Sequence, residues 1–173
     1  MENYGMATYS FSQFIKRVTI HPRIPVEAIY NAWTTPRGLE SWFLRSALYF
    51  DKNGKQKDQL ENAMPGDRYH WLWHGYDDTI GEQRKVLDTN GKVFFQFEFS
   101  GGCIVSITIK KEGEETICEL KQEMPMDDEG EQRFFFIECS TGWTFYLANL
   151  KSILEGGIDL RNKNVQIKSV INA

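Results

Sequence analysis

The sequence predicts an α+β fold in which an antiparallel sheet is followed by one long C-terminal helix. Three observations predict it. Between Pro65-Gly66 and Met124, apolar residues recur at every second position in four separate segments, the period of half-buried strands. From about Glu131 the period changes to three and four and persists to Glu155, which is helical. Turn residues, Asn90-Gly91, Ser100-Gly101-Gly102 and Gly113-Glu114, separate the alternating segments as hairpin connections should.

Each element follows in order. Residues 1–13 show no period and are expected to form an N-terminal extension. A first strand spans Phe14–His21, with Val18 and Ile20 on one side. Pro25 then opens a short helix over 25–34, whose apolar residues Val26, Ile29, Tyr30 and Trp33 recur at three and four. A second short helix spans 36–43, with a Thr N-cap, Pro36 at its first position and Leu39, Trp42 and Phe43 on its apolar face. The pair is a helix-turn-helix by geometry only, because neither helix carries the basic residues of a DNA reader. A strand near 45–51 precedes the polar loop Lys52–Pro65, and long loops in compact domains are functional or mobile.

The alternating strands carry Tyr69, Trp71 and Trp73, then Val93, Phe95, Phe97 and Phe99, on their inward sides. Two more place Cys103, Val105, Ile107 and Ile109, and Cys118, Leu120, Gln122 and Met124, inward. A strand near 79–87 lacks alternation, so no inward face is assigned to it. A two-residue turn at Gly113-Glu114 sets Ile109 opposite Cys118, Ile107 opposite Leu120 and Cys103 opposite Met124. Asn90-Gly91 reads as a two-residue hairpin turn. The helix Glu131–Glu155 buries Trp143 and Leu147, with Cys139, Leu150 and Leu154 on the same face. Gly142 inside it costs roughly 1 kcal/mol relative to Ala, justified by a close backbone approach or by room for Trp143. Gly156-Gly157 ends it. The tail 158–173 contains Val165–Val170, an edge strand or an arm. One domain over 14–157 is therefore expected.

Composition excludes several classes. The 173 residues are 41% hydrophobic and 25% charged, an ordinary globular mix rather than a disordered or coiled-coil one. No apolar run approaches the ~20 residues that span a bilayer, and the opening residues do not form a secretion signal. The formal charge is −4 and no Lys/Arg run exceeds two, so a nucleic-acid partner is not expected. Cys103, Cys118 and Cys139 are widely spaced and read as reduced, buried thiols of a cytoplasmic protein.

Candidate chemistry is sparse. His70 and His74 would share a face on a helix, but on a strand they lie about 13 Å apart, so no metal site is assigned. The acidic pairs Asp77-Asp78 and Asp127-Asp128-Glu129 fall in loops beside or near glycine and read as solvated turns. No phosphate-binding glycine loop and no G-x-S-x-G motif occurs. No catalytic residue and no cofactor is assigned. The most informative feature is the aromatic stripe, 14% of the chain being Phe, Trp or Tyr. It forms either plain core or the wall of a cavity between sheet and helix.

The segment Ile29–Phe43 (IYNAWTTPRGLESWF) resembles the start of Hsp90-ATPase-activator-homologue-like (AHSA1-like) proteins, which lie in the START/Bet v 1-like (SRPBCC) superfamily. Their pattern runs Ala-Trp-Thr-x-Pro, then Leu, then Trp-Phe, and Gly142-Trp143 with Leu147, Leu150 and Leu154 resembles their closing helix. The element order is that of their helix-grip fold. The resemblance implies a curved sheet wrapped around the last helix, enclosing a cavity and often an apolar ligand. The co-chaperone itself has a further Hsp90-binding domain with no counterpart in this sequence, so direct Hsp90 stimulation is not expected.

The expected function is non-enzymatic binding of a small apolar or amphipathic ligand. The expected pocket is bounded by Tyr69, Trp71, Trp73, Phe95 and Phe97 on the strands and Trp143 and Tyr146 on the helix. Val105, Ile107 and Leu120 add apolar wall, and Gln122 is its polar group. A protein-partner or chaperone regulator, or a cyclase- or hydrolase-like enzyme using the same pocket, are the alternatives, because fold does not choose among them.

Overall fold

The computed structural model describes residues 10–167 and 170. Its strands are β1 (Gln13–Ile20), β2 (Ser46–Phe50), β3 (Arg68–Leu72), β4 (Gly81–Thr89), β5 (Phe94–Phe99), β6 (Cys103–Glu112) and β7 (Glu115–Glu123). Its helices are α1 (Val26–Thr34), α2 (Pro36–Trp42) and α3 (Glu129–Leu154). The seven strands form one antiparallel, unclosed sheet in the order β1-β7-β6-β5-β4-β3-β2. The first strand pairs with the last, and the α1–α2 pair carries the chain from that edge to β2 at the other. α3 lies on the concave face with Trp143, Leu147 and Leu150 buried. This is the helix-grip arrangement.

Pattern and register explain the sheet. β5, and β6 over Cys103–Lys110, alternate buried and half-buried residues, which is what two-sided strands with one core face require. Across β6 and β7, Ile109 pairs with Cys118 and Ile107 with Leu120, as the Gly113 turn predicts. β4 breaks alternation because its register shifts between Val86 and Asp88, a bulge that bends the strand. The Asn90-Gly91 reading needs correction. The connection runs over Asn90–Val93, because the Asn90 side-chain oxygen accepts from the amides of Lys92, Val93 and Phe94. An asparagine that caps three amides stabilises a wider loop than a two-residue turn.

The short helices close one end of the grip. The Thr35 side chain accepts from Gly38 N at 3.0 Å, the N-cap expected ahead of Pro36. Trp33 and Trp42 are fully buried and meet edge to face at 4.6 Å. The Trp42 indole donates to Ala32 O at 2.9 Å. The 52–65 loop is pinned onto this pair. Ala63 N donates to Thr34 O, and Asn62 donates to Asn31 and Thr34 side chains. Lys57 reaches back to Asp67 at 2.7 Å in a buried ion pair.

The segment after α3 is anchored as well. The guanidinium of Arg161 is buried and donates to the carbonyls of Glu40, Ser41 and Leu44. Asn149 on α3 donates to Trp42 O at 2.6 Å and accepts from Leu160 N. The open carbonyls at the end of α2 are thus satisfied by side chains from α3 and from the tail. Residues 158–167 form no strand. Lys168 and Ser169, part of the edge strand or arm expected over 165–170, lie outside the described residues.

Arg161 is held in turn by Asp159, whose carboxyl makes 2.6 and 2.9 Å contacts to it and is also paired to Lys163. Burial alone would raise the Asp159 pKa, but the Arg161 and Lys163 hydrogen bonds outweigh it and hold the carboxyl well below the usual carboxylate range. The folded value lies below the unfolded value of about 3.9. The contribution is therefore full above about pH 5 and declines as pH falls through 4 and below. Arg161→Met should destabilise the protein by about 3 kcal/mol in urea unfolding at pH 7. The difference from wild type should shrink at pH 3. A loss below 1 kcal/mol at pH 7 would show that the tail does not brace α2.

Candidate ligand cleft

Most of the expected pocket residues are packed against one another. Trp71, Phe97, Val105, Leu120 and Gln122 are fully buried, and Tyr69, Phe95 and Ile107 nearly so. Tyr69 stacks on Trp71 at 3.8 Å and donates its hydroxyl to Glu98 O. Phe97 sits edge-on to Trp71 at 5.2 Å and tilted on Phe95 at 5.3 Å. Gln122 accepts the Trp143 indole at 2.7 Å. The rings on the middle of the sheet occupy the space between sheet and helix.

The open space lies at the end of the grip, where β3 and β5 stop. There Trp73, Trp143 and Tyr146, three of the expected residues, line a cleft of about 290 Å³ with Phe43, Phe99 and Ser100. α3 supplies the other wall with Phe134, Phe135, Glu138, Cys139 and Gly142. The spacing is helical: Phe135, Cys139, Gly142, Trp143 and Tyr146 recur at three and four and so share a face. Four rings form a closed circuit on the floor. Phe43 lies 5.9 Å from Trp73, Trp73 6.3 Å from Phe99, Phe99 5.3 Å from Trp143, and Trp143 5.0 Å from Phe43. Tyr146 adds a fifth ring, edge-on to Phe43 at 4.7 Å.

Two glycines shape this space. A Cβ on Gly101 would fall 2.2 Å from the Phe135 ring, and Gly101 has φ +68°, so only glycine lets Phe135 rest on the β5–β6 turn. Gly142 makes no close approach: a Cβ there would meet nothing within 4 Å. Of the two expected reasons for this glycine, close backbone contact is absent, and the space beside Trp143 is open. The sequence marks Phe43 and Phe99 only as core residues and gives Phe135 no assignment. The interior glycine of a long helix was the available sequence mark of the cleft.

The chemistry of the walls is neutral apart from Glu138. The phenol of Tyr146 is pushed up to about 12 by burial. Burial also raises the Cys139 thiol, with a smaller push from Glu138 and an opposing one from Gln122. A larger concavity of about 570 Å³ lies over β3 and β4, lined by Arg68, His70, Gln83, Arg84 and Lys85 among others. Arg84 and Lys85 are paired there with Glu82 and Glu98. Ligand sites are mainly apolar with few polar groups, which favours the aromatic cleft. His74 sits beyond β3, its pKa lowered by burial and then by Arg161 and Lys163. Among the described residues no three metal-ligating side chains converge.

Residues 23–155 match the family described as "Activator of Hsp90 ATPase homolog 1-like protein". The chain belongs to this AHSA1-like family. Solved structures share its fold. The protein SSP2350 of Staphylococcus saprophyticus has a TM-score of 0.66 and 16% identity, covering 86% of this chain and 96% of its own. The Aha1 dimer of Colwellia psychrerythraea has a TM-score of 0.61 and 19% identity, covering 84% and 97%. CalU16 of Micromonospora echinospora has a TM-score of 0.58 and 17% identity, covering 85% and 76%. No curated protein matches the sequence. No helix among the described residues is long and apolar enough to cross a membrane.

The thiols give a direct check on the placement of the cleft wall. Cys103 and Cys118 are buried and Cys139 is half-buried in the cleft wall; all three are free. Burial pushes Cys103 up to about 11 and Cys118 up to about 12. Native alkylation should modify Cys139 first and slowly, because the thiolate is the reactive form. Cys103 and Cys118 should react only on unfolding. Peptide mapping that found all three modified at one rate would contradict this placement.

Proposed function

We propose that this protein is a non-enzymatic binding domain for a small apolar or amphipathic ligand, held in the cleft between α3 and the ends of β3 and β5. The carrying observation is the closed aromatic circuit floored by Phe43, Trp73, Phe99 and Trp143 and left uncovered at Gly142. The volume is at the lower end of the roughly 300–1,000 Å³ typical of ligand sites. A ligand that buries about 200 Å² of apolar area gains roughly 5 kcal/mol before binding costs, which supports weak affinity, in the micromolar to millimolar range. A reaction is not needed to explain the residues present, and burial raises the Cys139 thiol above its ordinary value.

A second reading is docking of a protein partner on the same face. Phe134 and Ile137 are exposed on α3, and Phe134 lies at the cleft rim. Exposed apolar residues grouped beside a groove mark interaction surfaces when the patch is large. One variant separates the two readings. Phe134→Ser should abolish partner capture yet leave most small-ligand affinity, since Phe134 stands outside the aromatic circuit.

Gly142 supplies the main test. Gly142→Ala should stabilise the protein by about 0.5–1 kcal/mol, as expected for an interior helix glycine, while weakening ligand binding. Gly142→Leu should fill the cleft and weaken binding at least tenfold. Titration with apolar probes, following tryptophan emission, reads both variants. Unchanged affinity in Gly142→Leu would remove the cleft from the function.

A further inference from the structure

We infer that the cleft selects an organic cation: a small apolar body carrying an amine or quaternary ammonium group. This rests on the cleft being the ligand site and adds the charge of its occupant. The first observation is the floor. Seven aromatic side chains line the cleft, and four of them contact one another in turn at 5.0–6.3 Å. Aromatic faces carry negative potential and attract a desolvated cation. They offer a carboxylate no such attraction.

The polar groups point the same way. Glu138 stands at the rim, one helical turn before Gly142, and has no ion-pair partner among the described residues. Ser100 also lines the cleft, but its hydroxyl proton is committed: Oγ donates to Glu82 at 2.6 Å. Ser100 therefore presents only lone pairs to a ligand. The Trp143 indole N–H is likewise committed, to Gln122 at 2.7 Å. No lysine or arginine lines the cleft. The nearby Arg45 is bound to Trp73 O and paired with Asp78 at 2.5 Å. Arg161 is held by Asp159. The walls thus offer acceptors and aromatic surface, with the neutral Tyr146 phenol the strongest donor that lines them besides the committed Ser100 and Trp143 groups. An ammonium group can use both, donating to Ser100 and Glu138 while resting on the rings. A fatty-acid carboxylate finds no lysine or arginine on the walls and meets the Glu138 carboxylate at the rim.

The test uses three probes with one apolar body, cyclohexylmethylamine, cyclohexylmethanol and cyclohexanecarboxylate, titrated into wild type, Glu138→Gln and Gly142→Leu with tryptophan emission as the readout. The amine should bind wild type about tenfold tighter than the alcohol, equal to about 1.4 kcal/mol, with the carboxylate weakest. Glu138→Gln should cut the amine preference severalfold and leave alcohol affinity unchanged. Added salt should weaken the amine alone, because the rim charge is screened. An amine that binds no tighter than the alcohol, or a carboxylate that matches it, overturns the charge assignment while leaving the cleft reading intact. If none of the three binds, or Gly142→Leu leaves all affinities unchanged, the cleft reading fails and this inference with it.

Discussion

The hydrogen bond from the Trp143 indole to Gln122 fixes how α3 sits in the sheet, and the cleft depends on it. Both side chains are buried, and the contact is 2.7 Å. A buried indole N–H left unpaired costs about 1–3 kcal/mol, so rotations of α3 that break the bond are disfavoured. Apolar contact alone would specify the rotation less well. The first half of α3 carries four consecutive apolar residues, Phe134–Ile137, of which Phe134 and Ile137 are exposed and Phe135 and Phe136 half-buried. With Trp143 pinned to β7, Gly142 is turned to the open side and Phe135 is laid over Gly101. Cleft walls and helix anchor are therefore neighbours in sequence.

The core accepts other polar costs that make this pairing informative. The Trp33 and Trp71 indoles and the Tyr49 hydroxyl are buried without a hydrogen-bond partner. Trp33 faces the Cys118 thiol, which that contact tends to lower against the larger effect of burial. Burial, with smaller contributions from Asp67 and Tyr30, moves the Tyr49 phenol well above its ordinary value. These rings are kept for their shape: Trp33 packs on Trp42, and Tyr49 and Trp71 meet edge to face at 6.3 Å. Large aromatic surfaces gain enough by burial and ring contact to offset such losses. Trp143 is different because its ring also bounds the open cleft.

Much of the fold was legible because it repeats. Period two assigned the inward residues of β5, β6 and β7, and the Gly113 turn set the register that places Ile107 opposite Leu120. Thr35, Pro36 and Gly156 marked helix ends by local chemistry. The position of the open space was not legible. The rings of Tyr69, Trp71, Phe95 and Phe97 point inward as the alternation says, but whether rings fill a volume or surround it depends on stacking distances that no pattern carries. The aromatic cleft opens where β3 and β5 end and α3 has a glycine. Arg161 was hidden for a related reason. An isolated arginine in a polar tail looks solvated, and its burial follows from carbonyls of α2 that are distant in sequence. The same holds for Lys57 and Asp67, which meet only once the 52–65 loop has folded onto α1.

Hydrogen exchange at the five tryptophan indoles tests the central claim most directly. If the bond to Gln122 sets the seat of α3, the Trp143 indole exchanges only through global unfolding, at the rate of the buried Trp42 indole. Half-exposed Trp73, on the opposite cleft wall, exchanges much faster. A Trp143 indole that exchanged with Trp73, well ahead of Trp42, would show that α3 moves freely over the sheet and that the cleft has no fixed wall.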